Sequence, residues 1–214
     1  MLDNFIYELR SQLENPLPGK IAHMKMSPRD RKDKKIDLEQ LAEPKRGGVL
    51  ILFYEEDGRI KFPLIQRPEY NGVHSGQVSL PGGKMEDGET LIETAFREAR
   101  EEIGVEEEKM EVIGLLTQFY IWVSNFKVQP VIAFSKDVPR FRLDMHEVEE
   151  VIEADLEDLL SEKNVKQKEI HTSLGFKIKS PYYDVQGKVV WGATAMMLSE
   201  LTEIIKRMDF FKKV

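Results

Sequence analysis

Three glutamates within residues 83–105, GKMEDGETLIETAFREAREEIGV, are of a type and spacing that could do chemistry. A helical pattern runs from about residue 91 to residue 103, and Gly104 ends it. On that helix Ile92, Ala95, Phe96, Ala99 and Ile103 gather on one side, which should pack on a sheet. Glu98, Glu101 and Glu102 gather on a second face, with Glu93, Arg97 and Arg100 on the opposite flank. Glu98 and Glu102 are i,i+4 neighbours, and like charges so placed cost a helix roughly a few tenths of a kcal/mol. Two readings meet here. One is a solvated acidic face; the other is a surface for a hard divalent cation, because Mg²⁺ takes oxygen ligands in octahedral geometry.

The elements around this helix are legible as a mixed pattern. Phe5, Ile6, Leu9 and Leu13 mark a helix over 3–14, stopped by Asn15-Pro16 and Pro18-Gly19. Residues 20–46 read as a polar arm, with the charge cluster RDRKDKK at 29–35. Segments 48–54 and 59–66 flank the turn EEDG and form a hairpin. Residues 68–90 are mostly loop, with a short strand near 78–80. Beyond the helix, β-rich segments 110–122 and 126–135 form an antiparallel pair broken at Ser124-Asn125. A strand at 148–154 precedes a short helix at 156–160, then short strands at 168–172, 176–179 and 187–191. Residues 193–208 close the pattern as an amphipathic helix. Without regular βαβ alternation, an α+β arrangement is expected over a doubly wound sheet. The division is an N-terminal helix and arm, 1–45, packed on a domain of residues 46–214.

Composition narrows the classes. The chain has 214 residues, 41% hydrophobic and 9% aromatic, enough for a substantial core. A formal net charge of -7 and the lack of a basic-aromatic motif argue against nucleic acid and an anionic membrane as partners. The absence of cysteine excludes disulfides and thiol nucleophiles. No signal peptide or membrane-spanning apolar run is read, so a soluble cytoplasmic protein is expected. A homodimer is admitted as a partner state.

Residues 83–105 match a known signature at every defined position: Gly83, Glu89, Arg97-Glu98-Ala99, Glu101-Glu102, Gly104 and Val105. The chain thereby resembles the Nudix hydrolases. The resemblance implies a mixed sheet between helices, with the signature forming loop-helix-loop. It also implies Mg²⁺- or Mn²⁺-dependent hydrolysis of a nucleoside diphosphate linked to another moiety. On it, Glu98 and Glu102 are the principal metal ligands, and Glu101 completes the cluster or positions water. Arg97 pairs with Glu89 to fix loop against helix, and Gly82 and Gly83 let the backbone approach metal and phosphates. Loop glutamates often supply the general base in this family, which makes Glu147, Glu149 and Glu150 candidates, though an acidic strand edge is the plainer account of the run. His74 and His146 are single histidines that fit hydrogen-bonded structural roles as well as a site.

Upstream, residues 63–83 read PLIQRPEYNGVHSGQVSLPGG. Arg67, Gly76, Pro81, Gly82 and Gly83 resemble the extra signature of the bacterial-type coenzyme A pyrophosphatase branch, and His74-Ser75-Gly76-Gln77 is similar to its HAGQ. Gly72 stands where that signature has a second arginine. PLPGKIAHMKM at 16–26 and Trp191-Gly192-Ala193-Thr194-Ala195 resemble flanking features of the same branch. The implied reaction splits coenzyme A into adenosine 3′,5′-bisphosphate and 4′-phosphopantetheine, with Arg67, His74, Gly82 and Gly83 binding substrate. Lys20, Lys25, Arg29 and Arg67 are the basic residues on offer for a 3′-phosphate. The alternatives are ADP-ribose, NADH or a nucleoside triphosphate as substrate, or a non-catalytic nucleotide sensor; three intact carboxylates argue against the sensor.

Overall fold

An unbroken apolar run at 49–54 demands cover on both faces, and helices supply it from each side. The computed structural model describes residues 1–28, 43–69, 75–172, 175 and 177–211. Helices α1 (Leu2–Leu13) and α2 (Gly19–His23) precede strands β1 (Lys45–Glu56), β2 (Arg59–Gln66), β3 (Val78–Ser79) and β4 (Gly82–Lys84). Helix α3 (Leu91–Ile103) leads into β5 (Met110–Leu115), β6 (Phe119–Ile121), β7 (Phe126–Ser135), β8 (Glu150–Asp155) and helix α4 (Leu156–Leu160). Strands β9 (Val165–His171), β10 (Lys177–Val185) and β11 (Lys188–Trp191) precede α5 (Gly192–Ile205).

The main sheet is mixed. β1 runs parallel to β7 and antiparallel to β2 and β4; β7 also pairs β5 and β6, and β2 pairs β3 and β8. Alternation along β1 and β7 splits the core in two. Leu50, Leu52, Val131 and Ala133 face Ala95, Ala99 and Ile103 of α3. Ile51, Phe53, Ile132 and Phe134 face α1 and α5 through Phe5, Leu9, Leu198 and Leu201. The α+β architecture of a mixed sheet between helices is therefore present. Strands β9, β10 and β11 form a second, three-stranded antiparallel sheet. No helix among the described residues is long and apolar enough to cross a membrane.

Several expectations are corrected. The segment 110–122 is two strands, because between β5 and β6 the Thr117 N–H turns from the ladder to Glu200. Residues 82–84, expected as loop, form β4 and pair with β1 through backbone alone. β10 runs on to Val185, past the expected end at 179: β11 pairs only from Tyr182 onward, leaving one side of Pro181 open for a residue with no donor. Helix α5 is buried almost all round rather than amphipathic, covered by α1, α2 and the sheet. The start of the polar arm is α2 plus a 3-10 turn, with Ala22, His23 and Met26 buried. The charge run at 29–35 lies outside the described residues.

What pins that arm is a carboxylate. Glu200 on α5 is fully buried and accepts four hydrogen bonds. Gly19 N–H (3.0 Å) and Thr117 Oγ1 (2.6 Å) donate to one oxygen, while His23 Nε2 (2.9 Å) and Thr117 N–H (3.2 Å) lie on the other. Burial pushes its pKa up, but the donors His23 and Thr117 outweigh that and hold it below the ordinary value. A buried charge survives only when so saturated. Glu200→Leu should lower the unfolding free energy by about 3 kcal/mol or more, since three neighbours lose their acceptor. Urea denaturation measures this; a loss below about 1 kcal/mol would show that the four bonds merely offset desolvation.

Candidate active site

Helix α3 starts with a reciprocal cap. Thr90 Oγ1 accepts from Glu93 N–H and the Glu93 carboxylate accepts from Thr90 N–H at 2.7 Å, satisfying two end donors. It ends where Gly104 turns left-handed and donates to Arg100 O at 2.9 Å. Between these ends the small Ala95 and Ala99 are buried over the sheet, and a Cβ on Gly48 would lie 2.3 Å from Leu91 O. The helix is thus set directly on the backbone of β1 and β4. A Cβ on Gly83 would lie 2.4 Å from the Glu98 carboxylate, so this glycine makes the cradle in which Glu98 sits.

Glu102 is the deepest of the helix carboxylates, 1% exposed. Gly82 N–H donates to one oxygen at 2.7 Å and Arg67 to the other at 3.1 Å; Arg67 also reaches Gly82 O at 3.4 Å. Burial raises the Glu102 pKa to about 7, Arg67 and the Gly82 N–H oppose, and the charges on Glu98 and Glu147 add to the rise. The Glu98 pKa is also raised, first by burial, against Arg97 and with help from Glu101 and Glu147. In both cases desolvation and like charge outweigh the arginine, the condition of a carboxylate pair short of positive charge.

Arg97 ties the loop to the helix. It holds Glu89 in a fork (2.6 and 3.2 Å) and bonds Lys84 O (3.0 Å), with Glu98 at 3.0 Å and Glu101 at 3.1 Å. Glu89 also accepts from Thr94 Oγ1 and Glu86 N–H, each at 2.9 Å. Arg97 and the Glu86 N–H chiefly hold the Glu89 pKa down at about 2. The expected Arg97–Glu89 pair is therefore present. Arg97 does not keep to a flank opposite the acidic face: its long side chain folds back across to Glu98 and Glu101.

The expected site residues separate on this geometry. Glu98 and Glu102 come together against Gly83 and Gly82, with Glu89 and Arg97 beside them. Glu101 is largely exposed and paired with Arg97 and Arg100, so the acidic face converges as two side chains. Among the described residues no three acidic or histidine side chains form a ready-made cation cage. Arg67 turns inward to Glu102. His74, Gly72 and Arg29 lie outside the described residues. Of the loop glutamates, Glu147 acts on both Glu98 and Glu102, whereas Glu150 pairs with Lys188 and Glu149 is anchored by its N–H on Gln66 O. Asp144 sets that loop and was not foreseen. It receives His146 N–H on its side chain, Glu147 and Val148 N–H on its carbonyl, and its own N–H bonds Glu102 O. An aspartate two residues before His146 is an Asx-turn signal that could have found it.

A hard divalent cation fits this donor set. Glu98 and Glu102 offer oxygens only, the pair is short of positive charge, and Gly83 leaves space that a side chain would fill. With one hydrogen bond on each oxygen, Glu102 keeps lone pairs for coordination.

Comparison with known proteins bears on this arrangement. A model of the NUDIX domain matches residues 44–173. Nudix hydrolase 15, mitochondrial, of Arabidopsis thaliana is 37% identical over 164 residues, 73% of this chain and 57% of that protein. Mitochondrial coenzyme A diphosphatase NUDT8 of Mus musculus is 36% identical over 134 residues, 61% of this chain and 63% of that protein. The chain spans little more than half the length of the Arabidopsis relatives it matches. Among solved structures, the Nudix hydrolase RenU from M. smegmatis has a TM-score of 0.56 at 18% identity, covering 78% of this chain and 89% of its own. The MutT protein from Methanosarcina mazei Go1 has 0.52 at 21%, covering 78% and 99%. At such identities these two likenesses concern the fold.

The raised Glu102 pKa makes a stability prediction. A carboxyl raised from 4.5 to about 7 contributes stability below pH 4.5 that is lost as pH rises through about 7. Without divalent cations, wild-type stability should fall between these values relative to Glu102→Gln, by roughly 3 kcal/mol at most. Thermal unfolding in chelator at stepped pH tests this. Parallel curves for the two proteins would show that Glu102 ionises normally in the fold.

Proposed function

The chain belongs to the Nudix family, and on that premise we propose that it hydrolyses the diphosphate linkage of coenzyme A or its derivatives. The observation that carries the reaction class is the Glu98–Glu102 pair lodged against Gly82 and Gly83, with the charge of Glu147 felt by both. Glu98 and Glu102 would hold a Mg²⁺ or Mn²⁺ ion, which supplies charge neutralisation on the diphosphate and a more acidic water. Glu147, on the loop that Asp144 N–H ties to Glu102 O, accepts the proton of the attacking water as a P–O bond of the diphosphate breaks. Arg97 keeps Glu98 in place and ties the Glu89 loop to the helix, and Arg67 with the Gly82 N–H orients Glu102. Glu101, at the rim, positions water or substrate.

The coenzyme A reading is supported by the upstream run Arg67, Gly76, Pro81, Gly82 and Gly83, and by the coenzyme A diphosphatase among the relatives. Gly72, in place of a second arginine, favours the other reading, a different nucleoside diphosphate derivative such as ADP-ribose or NADH.

A panel of coenzyme A, ADP-ribose, NADH and a nucleoside triphosphate, each below saturation with Mg²⁺ or Mn²⁺, tests this. Coenzyme A should show the highest kcat/KM and yield adenosine 3′,5′-bisphosphate and 4′-phosphopantetheine. Glu98→Gln and Glu102→Gln should each lower kcat by at least about 10²-fold while the fold persists. Faster turnover of ADP-ribose or NADH would overturn the coenzyme A assignment. Near wild-type turnover in both variants would overturn the role of the carboxylates.

A further inference from the structure

The sheet carries a cationic row that neither the fold nor the proposed chemistry accounts for. In the register of β4, β1, β7 and β6, Gly47 pairs Lys84 and Met85 N–H bonds Arg46 O, while Arg46 pairs Lys127 and Lys127 pairs Tyr120. Paired residues point to the same side of a sheet, and parity assigns that side. Arg46 shares it with Leu50 and Leu52, and Lys127 shares it with Val131 and Ala133, all of which pack against α3. Arg46 and Lys127 are both exposed and lie on the α3 side, beyond the start of the helix.

Their position relative to the carboxylates follows from strand geometry. Gly83 touches Glu98 and pairs with Gly48, two residues along β1 from Arg46. One strand spacing and two residues of rise put the Cα of Arg46 about 8 Å from that of Gly83. Lys127 is one strand further, about 12 Å away. Both side chains can therefore reach a group attached to a diphosphate held at Glu98.

The row also costs the fold something. Like charges at paired strand positions repel, and among the described residues neither Arg46 nor Lys127 is paired with a carboxylate. An anion between them would relieve that repulsion, and a guanidinium beside an ammonium suits a phosphate oxygen cluster. The other basic residues near enough to consider are engaged or turned elsewhere, and Lys84, beside Gly83, pairs Gly47 and so points to the side opposite Arg46. Arg67 is bound to Glu102 and Lys25 to Glu203; Lys20 is on α2, against the opposite face of the sheet; Lys45 lies over the Phe126 ring on that opposite face too.

We propose that Arg46 and Lys127 form an anchor for a phosphate monoester of the substrate lying outside the diphosphate that is cleaved, the chemistry of a nucleoside 3′-phosphate. This deepens the proposed function and rests on it for the position of the diphosphate. It also explains how a chain with Gly72 in place of an arginine could still select a 3′-phosphorylated nucleotide.

Calorimetric binding of adenosine 3′,5′-bisphosphate and of adenosine 5′-monophosphate to the full chain tests the anchor independently of turnover. Wild type should bind the bisphosphate at least about tenfold more tightly, the factor expected of one charge-assisted phosphate contact. Arg46→Gln/Lys127→Gln should bring the two ligands within about twofold. Lys45→Gln, which removes a charge from the opposite face, should leave the ratio intact. The anchor is overturned by equal binding of the two ligands to wild type, by a ratio that survives the double variant, or by equal loss in Lys45→Gln. If the double variant loses a ratio that wild type shows, yet coenzyme A is not hydrolysed, the anchor stands and the coenzyme A assignment falls.

Discussion

At Gly48 and Gly83 helix α3 lies so close to β1 and β4 that no side chain could stand between them, and the rest of the candidate site depends on that approach. Gly48 lies beneath the first turn, where a Cβ would come within 2.3 Å of Leu91 O. Gly83 lies beneath Glu98, and Gly82 N–H reaches the Glu102 carboxylate. Larger residues at these positions would lift the helix, and its carboxylates would stand in water as an ordinary acidic face. With glycine there, the carboxylates are pressed onto backbone and partly stripped of solvent. The long apolar strand β1 makes this affordable: Leu50 and Leu52 bury the inner side of the helix against Ala95, Ala99 and Ile103, and apolar burial is the dominant favourable term in folding.

Electrostatics then sets the character of the site. A buried and a part-buried like charge one turn apart disfavour the helix, and two arginines compensate in part. Arg67 reaches Glu102 from the end of β2, and Arg97 reaches Glu98 from the helix itself. Neither wins outright, since both carboxyls remain raised by burial. Arg97 spends most of its donors elsewhere, on Glu89 and Lys84 O. The remaining deficit of positive charge is what a divalent cation suits.

How much of this the sequence reveals depends on whether a feature is local. Helix α3 is legible to its ends because Thr90, Glu93 and Gly104 cap it and its apolar side repeats with helical period. The Arg97–Glu89 pair is legible through the family signature. Strand β4 is hidden, because Pro81-Gly82-Gly83 has the composition of a turn and joins β1 through backbone bonds that leave no side-chain pattern. The convergence of Arg67 on Glu102 and of His23 on Glu200 is hidden for another reason. The partners are 35 and 177 residues apart, and only the tertiary fold brings them together. Glu147 could be narrowed from three neighbouring glutamates only once Asp144 and Lys188 were seen to organise that loop and its strand.

The central claim is that Glu98 and Glu102 together form a divalent-cation site. Its most direct test is titration of the metal-free protein with Mn²⁺ in the absence of nucleotide, followed by electron paramagnetic resonance or calorimetry. The account predicts one saturable site in wild type whose affinity drops at least about tenfold in Glu98→Gln and in Glu102→Gln, because each change removes a charged oxygen ligand. Binding of equal strength in wild type and both variants, or no saturable binding at all, would contradict it.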